Sequence, residues 1–311
     1  VADRRRNGGD GVQYIPPHRP STPGSGEDRF LTVLQPRTLD DALAARAAHP
    51  DATVVAGGTG VLVDLNRGVE PVALLDLSRV AGLRDATREG NTIRLGAGVT
   101  YTDVLERHAG DLPGLAAAAR TVASRQVRNR ATLAGALVLG DPSGDALAAL
   151  GAARAAVEIR SVGRRRTVAA EDFVTAPGAC DLQPDELVTA LLVPVADGPT
   201  AYAKAGARNA MARAVCAVAV ALHPARRTAT ACVVGAAPTA IRPDVAEALV
   251  AASWDALDEP ATAERFGALV AEAVDPIPDS RGSAAYRRHI AGVLAARALR
   301  RAAAELLVVS P

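Results

Sequence analysis

The alternation of apolar and polar positions divides the chain into short strands and short helices. Phe30-Leu31-Thr32-Val33-Leu34 opens the part expected to be ordered. Thr38 is placed to cap a helix running to about His49-Pro50, with Asp40 and Asp41 in its first turn. The β-branched stretch 53–56 reads as a strand that ends on Gly57-Gly58, and the apolar stretch 61–65 is able to form a helix. Gly68 and Pro71 break the chain before a second apolar strand over 72–76. Residues 92–96 alternate as a half-buried strand does. Thr100 is placed to cap a helix to about Ala109, and Pro113 opens another to about Ala123. Residues 157–160 and 166–168 form a hairpin around Val162-Gly163-Arg164, and 187–193 is a buried strand stopped by Pro194. Beyond the turn Asp197-Gly198-Pro199, strands over 201–205, 214–222 and 228–235 predict a meander. Helices from Pro243 to about Ala252, over 260–274 and over 284–307 follow. Strands followed by helices make this C-terminal part α+β.

Composition narrows the class. The chain has 311 residues, 49% apolar and 22% charged, which is the balance of a globular protein of two or three domains. Residues 1–28 hold Arg4-Arg5-Arg6, Gly8-Gly9 and Pro16-Pro17 with almost nothing to bury, and are expected to be a disordered extension. A net charge of +1 gives no overall footprint for nucleic acid or an anionic membrane surface. No apolar run is long enough to span a bilayer, and the N-terminal stretch lacks the apolar core of a secretory signal, so a cytoplasmic location is expected. Cys180, Cys216 and Cys232 form no C-x-x-C pair, and the five histidines show no metal spacing, so no zinc or iron–sulfur site is expected. No Ser-His-Asp, Cys-His or paired-carboxylate arrangement stands out.

Two stretches carry a cofactor's signature. Val55-Ala56-Gly57-Gly58-Thr59-Gly60-Val61-Leu62 is strand, glycine turn and helix, a way of aiming backbone N–H groups at an anion. It is neither G-x-G-x-x-G nor a P-loop, and taken alone it is equally an ordinary tight turn. Further on, Arg125, Arg128 and Arg130 precede a small-residue turn, Thr132-Leu133-Ala134-Gly135-Ala136. Gly140-Asp141-Pro142-Ser143-Gly144-Asp145 then opens a helix with Asp145 near its start. Two backbone cradles and a carboxylate for sugar hydroxyls make a set suited to a dinucleotide.

Ala56-Gly57-Gly58-Thr59, Gln126-Val127-Arg128-Asn129-Arg130, Thr132-x-x-Gly135 and Asp141-Pro142-x-Gly144-Asp145 together resemble the FAD-binding subunit of the molybdenum hydroxylases. That family includes xanthine dehydrogenase and the carbon monoxide dehydrogenase medium chain, and there is particular likeness to bacterial xanthine dehydrogenase subunits that carry FAD alone. Ala201-Tyr202-Ala203-Lys204 and Arg281-Gly282-Ser283-Ala284-Ala285-Tyr286-Arg287-Arg288-His289 resemble the start and the closing helix of the family's C-terminal domain.

The resemblance implies an α+β fold in which two subdomains (PCMH/VAO-like) cover residues 29–197 and a smaller α+β domain covers 198–311. FAD would lie extended between them. Residues 55–62 would wrap the pyrophosphate, 132–136 would form the second loop, Asp145 would meet sugar hydroxyls, Val188 would touch the flavin through its backbone, and Lys204 would lie close by. It further implies electron transfer from a molybdenum-cofactor chain through a [2Fe-2S] chain to this FAD and on to NAD+ or another acceptor. The chain departs from the family at Gly60, where a polar residue is usual, and at Ala131, Ala134 and Ala136, where Gly or Gly-Gly-Asn is common. Two other readings stay open here: a stand-alone FAD oxidase or dehydrogenase of a specialised pathway, and a flavin-free scaffold subunit.

Overall fold

In the computed structural model, which describes residues 31–208 and 211–309, three sheets of three or more strands follow one another along the chain, with a two-stranded pair beside the second. The first is small and parallel: β1 (Thr32–Leu34), β2 (Thr53–Val55) and β3 (Ala73–Asp76), in the order β1-β3-β2. Its crossovers are α1 (Leu39–Ala48) and α2 (Val61–Asn66). The α1 cap is the expected one, the Thr38 hydroxyl accepting from the Asp41 amide at 3.1 Å. The expectation for residues 1–28 lies outside the described residues.

The second sheet is antiparallel, in the order β4-β5-β10-β6-β7. Its members are β4 (Ala86–Glu89), β5 (Thr92–Gly96), β6 (Ala156–Ser161), β7 (Arg164–Ala169) and β10 (Leu187–Pro194). Between β5 and β6 run α3 (Tyr101–Arg107), α4 (Pro113–Arg120), α5 (Arg125–Arg128), α6 (Leu133–Val138) and α7 (Asp145–Ala152). Thr100 and Asp103 form a reciprocal capping box at the start of α3. The helices α3 and α4 end two and three residues earlier than the pattern predicts, at Arg107 and Arg120. A short helix α8 (Ala170–Phe173) and the pair β8 (Val174–Ala176) and β9 (Ala179–Cys180) link β7 to β10. Glu158 is buried in this sheet, and it receives Arg94 at 2.7 Å, Thr189 at 2.5 Å and Arg165 at 2.5 Å. One carboxylate thereby ties four strands together.

The third sheet is the expected meander of β11 (Thr200–Gly206), β12 (Ala214–His223) and β13 (Thr228–Val234). Both of its faces are buried, which is why its strands are almost continuously apolar. Tyr202, Ala217, Ala219, Cys232 and Val234 join the core of the preceding sheets and helices. The alternate positions, Ala201, Ala203, Cys216, Val218, Val220 and Val233, pack in a second core with the helices α9 (Asp244–Ala252), α10 (Pro260–Ala273) and α11 (Ala284–Val309). Arg287, on the stretch that resembles the family's closing helix, is 3% exposed. It donates to the carbonyls of Val215 at 2.7 Å and Gly235 at 2.5 Å, pinning α11 to this sheet. Among the described residues no helix is long and apolar enough to cross a membrane.

Candidate functional site

Strand β2 ends at Val55, whose carbonyl accepts from the Leu77 amide at 2.8 Å. The chain reverses through Gly58 at φ +79°, a conformation that costs an L-residue about 1–2 kcal/mol. Gly60 stands at the α2 cap and offers no side-chain acceptor. Among the described residues, the amides of 57–61 donate to no other group. The loop is therefore a set of unspent backbone donors, as its glycines suggest. Gly60, where the family has a polar residue, makes room for a neighbour: a Cβ there would sit 3.0 Å from a methyl of Leu139.

The second loop is held from both sides. Arg128 donates to the carbonyls of Val122 at 2.7 Å and Ala123 at 2.9 Å, bracing a turn in which Ala123 has φ +38°. This arginine shapes the backbone of that turn. The Tyr101 amide donates to Ala131 and the Leu133 amide to Val99, both at 3.2 Å, so Thr132 is bridged against Thr100. The Thr132 hydroxyl accepts from the Gly135 amide at 3.0 Å. The stretch 132–136 is accordingly the capped start of α6, where the small residues suggested a turn. Leu133 and Ala134 are buried core residues, while Gly135 and Ala136 are half-buried. None of Ala131, Ala134 and Ala136 has positive φ, so these departures from the family carry no backbone strain.

The two loops meet directly. A Cβ on Gly57 would lie 2.0 Å from the Arg130 carbonyl oxygen and 3.1 Å from the Ala131 Cα. Beside that contact lies a cleft of about 70 Å³, lined by Ala56, Gly57, Arg84, Gly98, Arg130 and Thr132 among others. Two arginines therefore stand at a cleft whose floor is backbone.

Asp145, the first residue of α7, has a partner on each carboxylate oxygen. Its Oδ1 accepts from the Tyr202 hydroxyl at 2.5 Å and its Oδ2 from Lys204 Nζ at 2.9 Å, and Lys204 also reaches the Thr121 carbonyl at 3.4 Å. Tyr202 and Lys204 are two apart on β11 and share a face. The Asp145 and Lys204 side chains are each 11% exposed. Burial and the Asp145 charge push the Tyr202 phenol well up from its usual range. Burial, then the charges of Asp145 and Asp141, push up the nearby Tyr101 as well. Both phenols stay protonated donors at neutral pH. Tyr202 stands in the Tyr-x-Lys stretch that marks Lys204 in the sequence, though its bond to Asp145 is not legible there; Tyr101 carries no sequence signal beyond its place after a helix cap.

Val188 pairs with Ile159 of β6, but the β5 ladder stops at Ala190, across a bulge. Its side chain is buried, so only its backbone is on offer. Val188, Asp145 and Lys204 do not line the cleft between the two loops. The residues 55–62 and 132–136 are brought together, and Asp145 with Lys204 forms a second group.

Residues 28–196 match the family model described as the FAD binding domain in molybdopterin dehydrogenase, and 201–302 match the CO dehydrogenase flavoprotein C-terminal domain. The chain is 31% identical over 275 residues to the nicotine 6-hydroxylase medium subunit of Paenarthrobacter nicotinovorans, covering 86% of this chain and 96% of that one. It is 34% identical over 172 residues to the xanthine dehydrogenase FAD-binding subunit of Escherichia coli O157:H7, covering 53% and 58%. The solved structure of reconstituted CO dehydrogenase from Oligotropha carboxidovorans superposes with a TM-score of 0.82 at 28% identity, over 92% of this chain and all of that one. Both loops fall within the first matched stretch and the meander begins at the second, and the chain belongs to the molybdopterin dehydrogenase FAD-binding family, as the FAD-binding oxidoreductase subunit of a molybdenum hydroxylase.

Proposed function

We propose that the cleft between residues 55–62 and 132–136 holds the FAD pyrophosphate, and that the chain works as the electron-transfer subunit of a three-chain molybdenum hydroxylase. The observation that carries the placement is the direct contact of the two loops at Gly57 and Arg130, beside amides of 57–61 that have no other partner. A side chain at Gly57 would fill the point where the loops close on each other. Their donors, with Arg84 and Arg130 at the cleft, suit a doubly charged phosphate pair.

In this reading Thr132 orders the second loop through its cap to Gly135. Asp145 accepts sugar hydroxyls with the lone pairs that Tyr202 and Lys204 leave free. Val188 contributes backbone alone, and Lys204 keeps a positive charge beside the cofactor. When bound, FAD supplies redox chemistry that links a [2Fe-2S] donor to NAD+ or another acceptor. A molybdenum-cofactor chain and a [2Fe-2S] chain are the proposed partners, supported by the medium-subunit names of the relatives. The domain boundaries proposed are 29–197 and 198–311.

Reconstitution of the purified chain with FAD, followed by absorbance after desalting, tests the cofactor placement. One FAD per chain is expected, and a parent chain that takes up none refutes it. Affinity capture with the partner chains of the same complex tests the assembly. Turnover of an organic substrate by the isolated chain would favour a stand-alone enzyme instead.

A further inference from the structure

A larger cavity lies elsewhere, between the first α+β unit and the meander. Its volume is about 280 Å³, near the lower limit of small-molecule sites. Residues from the start of α4, the end of α7, the end of β10 and the strands β11, β12 and β13 line it. Asp145 opens α7 at the FAD side and Ala152 closes the same helix at the cavity. Seven helical steps separate the two residues by about 10 Å. This is therefore a second site.

The walls are mostly apolar and include Leu112, Pro113, Leu115, Val193, Val195 and Val220. One end is polar and organised around Asp197. Its Oδ1 meets His223 Nδ1 at 2.5 Å and its Oδ2 accepts from Arg226 at 3.0 Å. His223 Nε2 lies 3.0 Å from the Thr230 hydroxyl, whose own proton goes to the Ala152 carbonyl at 2.6 Å. Arg226 is the arginine of this end; the other arginine at the cavity, Arg154, is committed to carboxylates. Arg154 is bound by both oxygens of Glu247, at 2.6 and 2.7 Å, and lies 3.5 Å from Glu171. Arg226 spends one N–H on Asp197 and is 63% exposed, so its remaining donors are uncommitted among the described residues. In the wall, the buried Thr200 hydroxyl has no hydrogen-bond partner among the described residues.

We propose that this cavity binds a small organic anion, a one- or two-ring carboxylate, with its ring between the apolar walls and its carboxylate on Arg226. An apolar slot with uncommitted guanidinium donors at its end selects that chemistry over a ligand with no acceptor to offer them. Because the cavity joins segments of both units, the ligand also clamps the meander onto α4 and α7.

Titration of the purified full chain with indole-3-carboxylate, followed by calorimetry and ligand-observed NMR, tests the proposal. Indole-3-carboxamide serves as the neutral comparator. The carboxylate is expected to bind about tenfold more tightly than the amide, from one charge-assisted contact. Arg226→Gln, at an exposed position, should reduce the carboxylate to the affinity of the amide. Ala153→Leu, which fills the cavity from the end of α7, should abolish binding of both. FAD content should be unchanged in either variant. Equal affinity for the two probes, no binding of either, or carboxylate binding that survives Arg226→Gln overturns the proposal. The titration does not depend on bound flavin, so failure of FAD uptake and failure of this site are read separately.

Discussion

Replacing Gly57 by alanine introduces one methyl group at the contact between the two loops. Its Cβ would fall 2.0 Å from the Arg130 carbonyl oxygen and 2.8 Å from the carbon of that carbonyl. An ordinary contact with that oxygen needs roughly 1.5 Å more. The obstacle is backbone, and it is fixed: the Arg130 and Ala131 amides donate to Val127 at 3.0 and 2.7 Å, and the Ala131 carbonyl accepts from Tyr101. Relief therefore requires the loops to part. Overpacking of this kind costs about 1–3 kcal/mol of stability. A cradle widened by that amount also loses at least one charge-assisted hydrogen bond to phosphate, worth about 1.5–3 kcal/mol, so FAD should bind about tenfold to a hundredfold more weakly. Gly58→Ala is the control. A Cβ there meets nothing nearer than a Leu62 methyl at 3.7 Å, so its cost is the positive φ alone, about 1–2 kcal/mol, with a smaller effect on FAD. Flavin fluorescence quenching on the apoprotein measures affinity, and urea unfolding measures stability. If Gly57→Ala binds FAD within a factor of two of the parent and unfolds at the same urea concentration, the two loops do not form one cradle.

Asp145→Asn leaves Lys204, 11% exposed, without its carboxylate, and should lower unfolding stability by up to about 3 kcal/mol. Adding Lys204→Met should recover part of that loss in a double-mutant cycle. Ala136→Asn restores the amide common in the family at a half-buried position and should tighten FAD about twofold to tenfold, read by the same quenching titration. Glu186 should mark the acid limit of the fold. Arg166 donates to it at 2.7 Å and, against the opposing effect of burial and with the help of the Gln183 amide, holds its carboxyl below the usual range. A lowered folded pKa gives stability that is complete above the unfolded value of about 4.3 and is lost as pH falls through the folded one. The urea midpoint should thus be insensitive to this group near neutrality and drop below about pH 4, with a shallower drop in Glu186→Gln.

Elements with local signals were legible from sequence. Thr38 and Thr100 marked their helices through caps that need only neighbouring residues. The meander was legible because its strands are long apolar runs between turns. Strand β4, Ala-Thr-Arg-Glu, was not foreseen: its residues are mostly exposed and carry no apolar alternation, and it exists because β5 offers it an edge. The start of α6 was read as a turn because Ala and Gly dominate it, while the decisive feature was the Thr132 cap. At the candidate site each loop was visible alone. Their contact was not, since only the folded path of 57–131 brings Gly57 under Arg130. The cavity at Asp197 was hidden for the same reason, being assembled from stretches that share no motif.

The loop contact bears on how the cofactor acts during folding. Gly57 must wait for Arg130, and Asp145 for Lys204, 59 positions later, before either half of the proposed FAD site has its shape. Contacts between such distant stretches form late, after the loop-closure entropy has been met. A ligand that recognises only the closed arrangement has nothing to hold in the transition state. Excess FAD should therefore leave the refolding rate almost unchanged and slow unfolding instead. The flavin would then act as a lock on a finished structure, and the lifetime of the loaded chain would be governed by how rarely these two contacts open together.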